Sequence, residues 1–382
     1  MPIYRLSLTS LLVLAASGLS PAAAAESSVT LYGLVDMGLA YQTRTAGSQA
    51  TVFANPGKDY SQFGLASGQS AASRWGMKGT EDLGNGLKAN FVLEAAVNMT
   101  DGSSSGFTRQ STMGLSKDGL GSVDLGRRLS PGTYAFAGID PFDYNYDQAA
   151  LNSSMGATNI RFSNMIALTT ASYGGLSFLA GWSFDTGLRG INSPVQPGVF
   201  GTSNKYRALS LGARYQNGPL LLGAMFDTYY SPSGPGSMSV KQWNVGGTYD
   251  FKIVKLHAAF GQNIDGRVNG VKVLANAETS GGDGNTNGAV FYEPGARTNQ
   301  WMVGVSAPVG SAGKVFASVQ QLRPGGDFTF GDRGSQTTSS IGYNYSLSKR
   351  TMLYAYYSYM TAPDMYAGAN SQILGAGIQH KF

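Results

Sequence analysis

Hydrophobic and polar residues alternate along most of this chain. In the clearest segments every second residue is apolar, and these segments are 176–184, 209–215, 220–226 and 353–359. Because the side chains of a β-strand point to the two faces of a sheet in turn, this period of two predicts strands with one apolar face and one small or polar face. Strands of about ten residues with this pattern are typical of β-barrels that span membranes. A membrane-spanning helix would need roughly 18 consecutive apolar residues, which no segment after residue 25 contains.

The connections between the predicted strands alternate in length. Short turns are predicted at 82–86, 116–121, 171–175, 216–219, 250–252, 308–313 and 346–349. Long polar loops are predicted at 42–72, 98–106, 129–158, 185–204, 229–238, 263–296, 323–334 and 361–370. These fifteen connections predict a 16-stranded antiparallel transmembrane β-barrel with both chain ends on the side of the short turns. An open sheet edge has no partners inside a bilayer, so the first strand (28–41) is expected to pair with the last (371–382).

The composition agrees with an exported all-β protein. Of the 382 residues, 53 are glycine, 13% are charged and none is cysteine. The low charge excludes a disordered chain, and without cysteine no disulfide can stabilise the fold. Residues 1–25 contain Arg5, an apolar stretch and the sequence Ala23-Ala24-Ala25, which are the features of a signal peptide. Residues 26–382 are therefore expected to form a single barrel domain.

Three motifs resemble the general porins of beta-proteobacteria. They are SVTLYGLVD at 28–36, SRWGMKGTEDLG at 73–84 and GIQHKF at 377–382, and the turn at 346–351 fits the same family. The resemblance implies a homotrimeric porin of the Gram-negative outer membrane, with a water-filled channel for passive diffusion of ions and small hydrophilic solutes. It also implies that the third loop folds into the lumen, and that the outer-membrane assembly machinery reads the C-terminal strand, which ends at Phe382.

The strand phase predicts which charged side chains face the lumen. On the second strand Trp75 and Met77 are expected to face lipid, so Arg74 and Lys78 face the pore. The same reasoning places two further charged residues, Lys88 and Glu94 of the third strand, inside. A charge on the lipid side would cost about 2–4 kcal/mol near the bilayer midplane, so the phase is strongly determined. All four tryptophans, Trp75, Trp182, Trp243 and Trp301, share the outward phase expected of an interfacial aromatic girdle.

An arginine cluster on the wall is implied by the same resemblance. On the sixth strand Ile160 and Phe162 are expected to face lipid, which leaves Arg161 inside. Similar porins line their constriction with arginines, and the residues here that match those positions are Arg74, Arg109 and Arg161. Glu94 matches the acidic residue of the family's third strand. Arg109 conflicts with the phase of Met113, which a β-bulge or a covering subunit would reconcile.

The segment 129–158 is the candidate for the inward third loop. Its aromatic content is too high for a solvated loop, and loops of this length are usually functional. Its acids Asp140, Asp143 and Asp147 are expected to face the arginine wall across the channel. Their spacing does not fit the calcium loop of an EF-hand, and the sequence contains no HExxH motif, P-loop or cysteine and histidine cluster, so no metal or other cofactor is expected. Five wall cations against four acids predict a modest preference for anions.

Two features of the sequence suggest functions other than a channel. The sequence GSSSG at 102–106 matches G-x-S-x-G but lacks the strand-to-helix elbow that this motif needs. A Ser-His pair built on His257 would make a phospholipase-like barrel, and a blocked lumen would make a structural barrel or adhesin. The sequence isoelectric point is near 9.1, but the cations are scattered, so no nucleic-acid partner is expected.

Overall fold

The computed structural model describes residues 28–45, 59–187, 205–231, 239–269, 289–326 and 334–382. The predicted signal peptide lies outside the described residues. The strands are β1 (Ser28–Thr45), β2 (Tyr60–Ser67), β3 (Arg74–Gly84), β4 (Leu87–Ala96), β5 (Gln110–Lys117), β6 (Gly121–Leu129), β7 (Arg161–Thr170), β8 (Leu176–Ser183), β9 (Arg207–Asn217), β10 (Leu220–Tyr230), β11 (Ser239–Asp250), β12 (Lys255–Asn269), β13 (Ala289–Val309), β14 (Gly313–Gly326), β15 (Gln336–Ser346), β16 (Thr351–Thr361) and β17 (Asn370–Lys381). The helical segments are α1 (Pro131–Phe136) and short 3-10 turns at Asp147–Ala149, Leu151–Ser153, Gly156–Asn159 and Pro363–Met365.

The strands form one closed antiparallel sheet. From β3 onward each strand pairs with the next, and β1 pairs with β17 over the register Leu34–Lys381 to Thr45–Asn370. On its other edge β1 pairs with β3 near the short turns and with β2 near the long loops, so β2 and β3 share one position in the wall. The wall therefore has 16 positions, and the predicted barrel, its closure and its seven short turns are confirmed.

The strand β2 lies inside the segment predicted as the first long loop, which corrects that prediction. Between β2 and β3, residues 68–73 turn around the carboxylate of Asp36, which is 1% exposed. This carboxylate accepts backbone N–H groups from Gln69, Ser70 and Ala71 and the hydroxyl of Tyr354. Residues 68–73 interrupt the alternation of apolar and polar residues, because their backbone bonds to a side chain and not to a neighbouring strand. This interruption is why β2 was not recognised as a strand in the sequence.

The outer face of the barrel is apolar. Large side chains such as Met113 (67% exposed), Val303 and Val245 project from it. Trp182, Trp243 and Trp301 follow this outward phase, and Trp75 packs against the exposed ring of Phe107, so the four tryptophans lie on the outer face as predicted. Such a surface is stable only when lipid covers it. Among the described residues, no helix is long and apolar enough to cross a membrane.

Candidate functional site

The third loop, residues 130–160, folds into the barrel and begins with helix α1. The hydroxyl of Ser130 accepts the N–H of Thr133 as an N-cap, and Pro131 occupies the first turn. The helix packs closely on the inner wall, because Gly212 and Gly223 leave no room for a Cβ beside Ala135. The sequence therefore provides both the N-cap that starts the helix and the glycines that let it pack against the wall.

From the helix the third loop runs along the inner wall towards β17. His257 Nδ1 lies 2.8 Å from the carbonyl oxygen of Ile139, and the amide of Gln148 donates to the backbone carbonyls of Ser358 and Ser371. On the return path three buried wall glutamines hold the loop backbone. They are Gln320, bonded to Ala149 and Ala150, Gln336, bonded to Ser153, and Gln242, bonded to Ala157. The loop thus covers the inner face of β8 to β17.

The tip of the loop is held by an aromatic cage. The ring of Tyr146 lies 5.2–5.9 Å from the rings of Phe142, Phe316, Tyr354 and Tyr356. Its hydroxyl donates to the side-chain oxygen of Asn344, and its N–H donates to the carbonyl of Gln69. Residues 143, 144, 146 and 147 have positive φ angles without being glycine, a conformation that persists only where the surroundings enforce it.

The three acids of the third loop have different surroundings. Asp140 is 3% exposed, and its oxygens accept the N–H groups of Phe142, Tyr144 and Leu151. Burial raises the pKa of Asp140 to about 7. The expectation that Asp140 faces the arginine wall is therefore wrong, because its carboxyl group is used to fold the loop on itself.

Asp143 and Asp147, at the tip of the third loop, have exposed side chains. The carboxylate of Asp147 accepts the hydroxyl of Tyr356 at 2.5 Å, which fixes its direction. In contrast to Asp140, both side chains therefore stand at the surface of the loop.

Charged residues lie together on the wall that the third loop leaves uncovered. Glu94 is at the centre, with Arg109 Nε at 2.7 Å and Arg74 Nε at 3.6 Å from its oxygens. The hydroxyl of Tyr32 donates to the same carboxylate at 3.0 Å. Arg161 lies beside this group, because its Nε donates to the carbonyl of Arg109 at 2.9 Å. One carboxylate thus stands among three guanidinium groups.

The sixth strand of the wall is β7, and the predicted outward direction of Ile160 and Phe162 beside it is wrong. Ile160 and Phe162 are fully buried and pack with residues inside the barrel rather than facing lipid. The cause is a β-bulge, where the register with β6 shifts and Asn164 takes a φ of 46°. Arg109 shows a related effect, since it precedes β5 and is not bound by the phase of that strand.

The two predicted wall lysines lie in different parts of the barrel. Lys78 Nζ is 5.5 Å from the ring centroid of Tyr32, next to the cluster. Lys88 is 3.3 Å from Asp118 in the turn after β5, where both side chains are exposed. Lys88 therefore belongs to the short-turn end of the barrel and not to the arginine group.

Two arginines of the inner wall escaped the sequence reasoning. Arg128 stacks on the ring of Tyr134 at 4.6 Å and pairs with Asp124. Arg214 donates to the carbonyls of Ala135 and Ala137 at the end of α1. Arg128 and Arg214 are in phase with the inward-facing residues of strands β6 and β9. The alternation of those strands could therefore have predicted that both arginines face the lumen.

An apolar exterior, a closed sheet and a charged passage beside an inward loop together define a barrel channel of the outer membrane. The chain belongs to the Gram-negative porin family, whose profile matches residues 9–364. The protein is thus an outer-membrane porin, and the fold and family indicate a passive channel rather than an enzyme.

The similar proteins cover the whole chain. An outer membrane porin protein of Bordetella pertussis is 37% identical, over 96% of this chain and 97% of its own length. Outer membrane porin protein 32 of Delftia acidovorans is 31% identical, over 98% of this chain and 99% of its own. Among solved structures, the anion-selective porin from Comamonas acidovorans superposes with a TM-score of 0.69 at 27% identity, over 94% of this chain and 100% of its own.

Proposed function

We propose that this porin prefers anions and that Arg74, Arg109 and Arg161 set the preference at the constriction. The observation that carries the proposal is the group of three guanidinium side chains around the carboxylate of Glu94, on the side of the lumen that the third loop leaves uncovered. The similar structure from Comamonas acidovorans is described as anion-selective, which supports the same direction.

The physical reason is the low dielectric of a narrow passage. Two unit charges about 4 Å apart interact by roughly 1 kcal/mol in bulk water and by about 4 kcal/mol at an effective dielectric of 20. Guanidinium remains charged at every relevant pH and binds carboxylate or phosphate with two parallel hydrogen bonds. With Asp143 and Asp147 on the opposite side, the arginines also create a transverse field that orients dipolar solutes.

A planar-bilayer experiment tests this proposal. In a salt gradient the wild-type reversal potential is expected to have the sign of anion preference, and Arg74→Ser combined with Arg161→Ser is expected to reduce it. The matched control is Lys349→Ser combined with Arg350→Ser, which removes the same charge from the exposed turn after β15. Cation preference in the wild type, or equal potentials for all three proteins, would overturn the proposal.

The proposal includes a homotrimer that outer-membrane lipid surrounds and that the assembly machinery inserts by way of the last strand. Phe382 supports the role of that strand, because its backbone exchanges two hydrogen bonds with Gly33 and its ring covers this glycine. Conductance steps in groups of three would support the trimer. Deletion of Phe382 is expected to reduce the yield of barrel that migrates as folded protein on unheated gels.

The alternative of a phospholipase-like Ser-His pair built on His257 is not favoured by the surroundings of this histidine. His257 Nε2 lies 3.1 Å from the hydroxyl of Ser306, but its Nδ1 faces the carbonyl of Ile139 and not a carboxylate. Both residues lie under the third loop and are about 5% exposed, so a lipid ester would not reach them. We propose instead that His257 and Ser306 anchor the third loop. Ser306→Ala is then expected to conduct as the wild type does, and neither the wild type nor the variant is expected to show lipase activity.

A further inference from the structure

A second segment folds inward above the third loop. Residues 362–369, which connect β16 with β17, are mostly buried although they lie on the long-loop side. Ala362, Asp364 and Met365 have φ angles of 47°, 53° and 66° without being glycine. Three left-handed residues within four positions persist only where surrounding contacts impose the conformation.

The strongest of these contacts is an ion pair that crosses the mouth of the barrel. Arg267 Nη2 lies 2.6 Å from Asp364 Oδ1, and both side chains are 2% exposed. Arg267 belongs to β12, which is four wall positions away from β16. Neighbouring strands are about 4.8 Å apart, so the two parent strands are about 19 Å apart along the wall. The pair can form only because both segments lean over the opening.

The end of the hairpin formed by β12 and β13 is bent to allow this. The register of the two strands shifts between Ile264 and Gly266, and Asp265 takes a φ of 61°. Beyond the bend, the ring of Tyr292 on β13 stacks on Tyr206, just before β9, with centroids 6.3 Å apart. This contact also joins elements four positions apart, so the bent hairpin reaches across the opening in both directions.

The inward segment is tied to the third loop through one glutamine. The side-chain oxygen of Gln336 accepts the N–H of Asp364 at 2.9 Å, and its amide donates to the carbonyl of Ser153 at 2.8 Å. Met365 is buried against Ala296 and Leu322 on the same side. The bent hairpin, residues 362–369 and the third loop thus form one packed unit.

We propose that the Arg267–Asp364 pair is a clasp that determines the largest solute admitted to the channel. The clasp holds residues 362–369 against the bent hairpin, and together they cover the part of the entrance above the third loop. Within the part of the entrance that the described residues form, solutes then enter beside the wall that carries Arg74 and Arg109. The inference rests on the channel function but not on anion preference, because steric exclusion acts on neutral solutes as well.

Swelling of liposomes that contain the porin tests the clasp with neutral sugars. Asp364→Asn and Arg267→Met each remove the ion pair between residues 362–369 and the bent hairpin, which favours an open entrance because the remaining charge is better hydrated there. Each variant is expected to admit a trisaccharide several-fold faster relative to a pentose than the wild type does. The double variant Arg267→Met with Asp364→Leu, which restores an apolar contact, is expected to return towards the wild-type ratio. The control is Lys241→Gln, which breaks the exposed pair with Asp265 near the same hairpin and is expected to change nothing.

A cross-link provides an independent measurement. The chain has no cysteine, so Arg267→Cys with Asp364→Cys can be joined specifically by a short bifunctional thiol reagent. The reacted protein is expected to exclude the trisaccharide as the wild type does, and the unreacted protein to admit it. Wild-type sugar ratios in both single variants and in the unreacted double-cysteine protein, with pentose entry intact, would overturn the clasp. If liposomes that contain the wild-type porin did not admit the pentose at all, the channel function itself would be contradicted.

Discussion

The two sides of the lumen use different chemistry for different tasks. On the side of β3 to β5, charged groups are presented to the passage, with Arg74, Arg109 and Glu94 in contact with one another. On the side of β8 to β17, the wall is covered by the third loop, and the contacts are amides, hydroxyls and aromatic rings. In the proposed function the charged side acts on solutes, whereas the buried glutamines of the covered side bond to the protein itself.

The comparison shows how a pore can keep a strong field without losing its shape. Buried glutamines such as Gln320 and Gln336 satisfy loop carbonyls on the covered side without adding charge. On the return path of the third loop, these neutral hydrogen bonds hold the backbone without using the arginines of the charged side.

The largest expected effect comes from breaking the covered side at its aromatic cage. Tyr146→Ala removes a buried ring that contacts four others, and truncation of buried aromatic residues costs on the order of 3–5 kcal/mol. The tip of the third loop is expected to detach, with higher and noisier single-channel conductance. Tyr173→Ala, on an exposed turn outside the barrel, is the control. Wild-type conductance and noise in Tyr146→Ala would show that the cage does not hold the loop.

The second prediction concerns the charged side, where Glu94 is the carboxylate shared by the arginine cluster. Glu94→Gln keeps the shape but deprives Arg74 and Arg109 of their shared partner. The reversal potential is expected to move towards stronger anion preference, and the barrel is expected to unfold at a lower temperature because like charges are left together. Glu81→Gln makes the same charge change on an exposed carboxylate and serves as the control. A shift towards cations in Glu94→Gln would contradict this account of the wall.

A pH experiment on Asp140 examines the covered side with a smaller effect. The pKa of Asp140 is raised by burial to about 7, above the value of about 3.9 in an unfolded chain, so the folded state binds the proton more tightly. Its contribution to stability is therefore complete below pH 4 and is lost as the pH rises through 7. The difference in unfolding temperature between wild type and Asp140→Ala is expected to grow as the pH falls from 8 to 5. A constant difference would mean that this carboxyl group titrates normally.

The smallest effect is expected at the short-turn end. Lys88→Gln breaks an exposed pair with Asp118, and such pairs contribute about 0–1 kcal/mol. Because ions screen exposed charges over about 10 Å at 0.1 M salt, the reversal potential is expected to stay near that of the wild type. A change as large as that of Arg74→Ser would place Lys88 in the ion path after all.

The barrel could be predicted from sequence because lipid and water act on opposite faces of every strand. Residues such as Leu222 and Val303 follow the outward phase as expected, and the short turns mark the strand ends. The strand β2 was missed because its neighbouring residues bond to Asp36 and not to another strand. A local pattern reports on a face of the sheet and contains no information about a distant carboxylate.

The candidate site could be predicted only in part, for the same reason. The prediction selected Arg74 and Glu94 from strand phase, and their contact in the structure agrees with a common inner face. It misplaced Phe162, because a bulge changes the phase without changing the composition. Asp140 was misread because an acid that folds its own loop looks like an acid that faces the channel until its hydrogen bonds are known.

The seam between β1 and β17 has a consequence for how the protein is made. Each of these strands needs the other to satisfy one of its edges, and they are joined by almost the entire length of the chain. Contacts so remote in sequence form late and slowly, so the growing polypeptide carries an unpaired edge until its final residues arrive. A premature stop near the C-terminus would therefore leave an open ribbon that sticks to other chains, and not a slightly shorter pore.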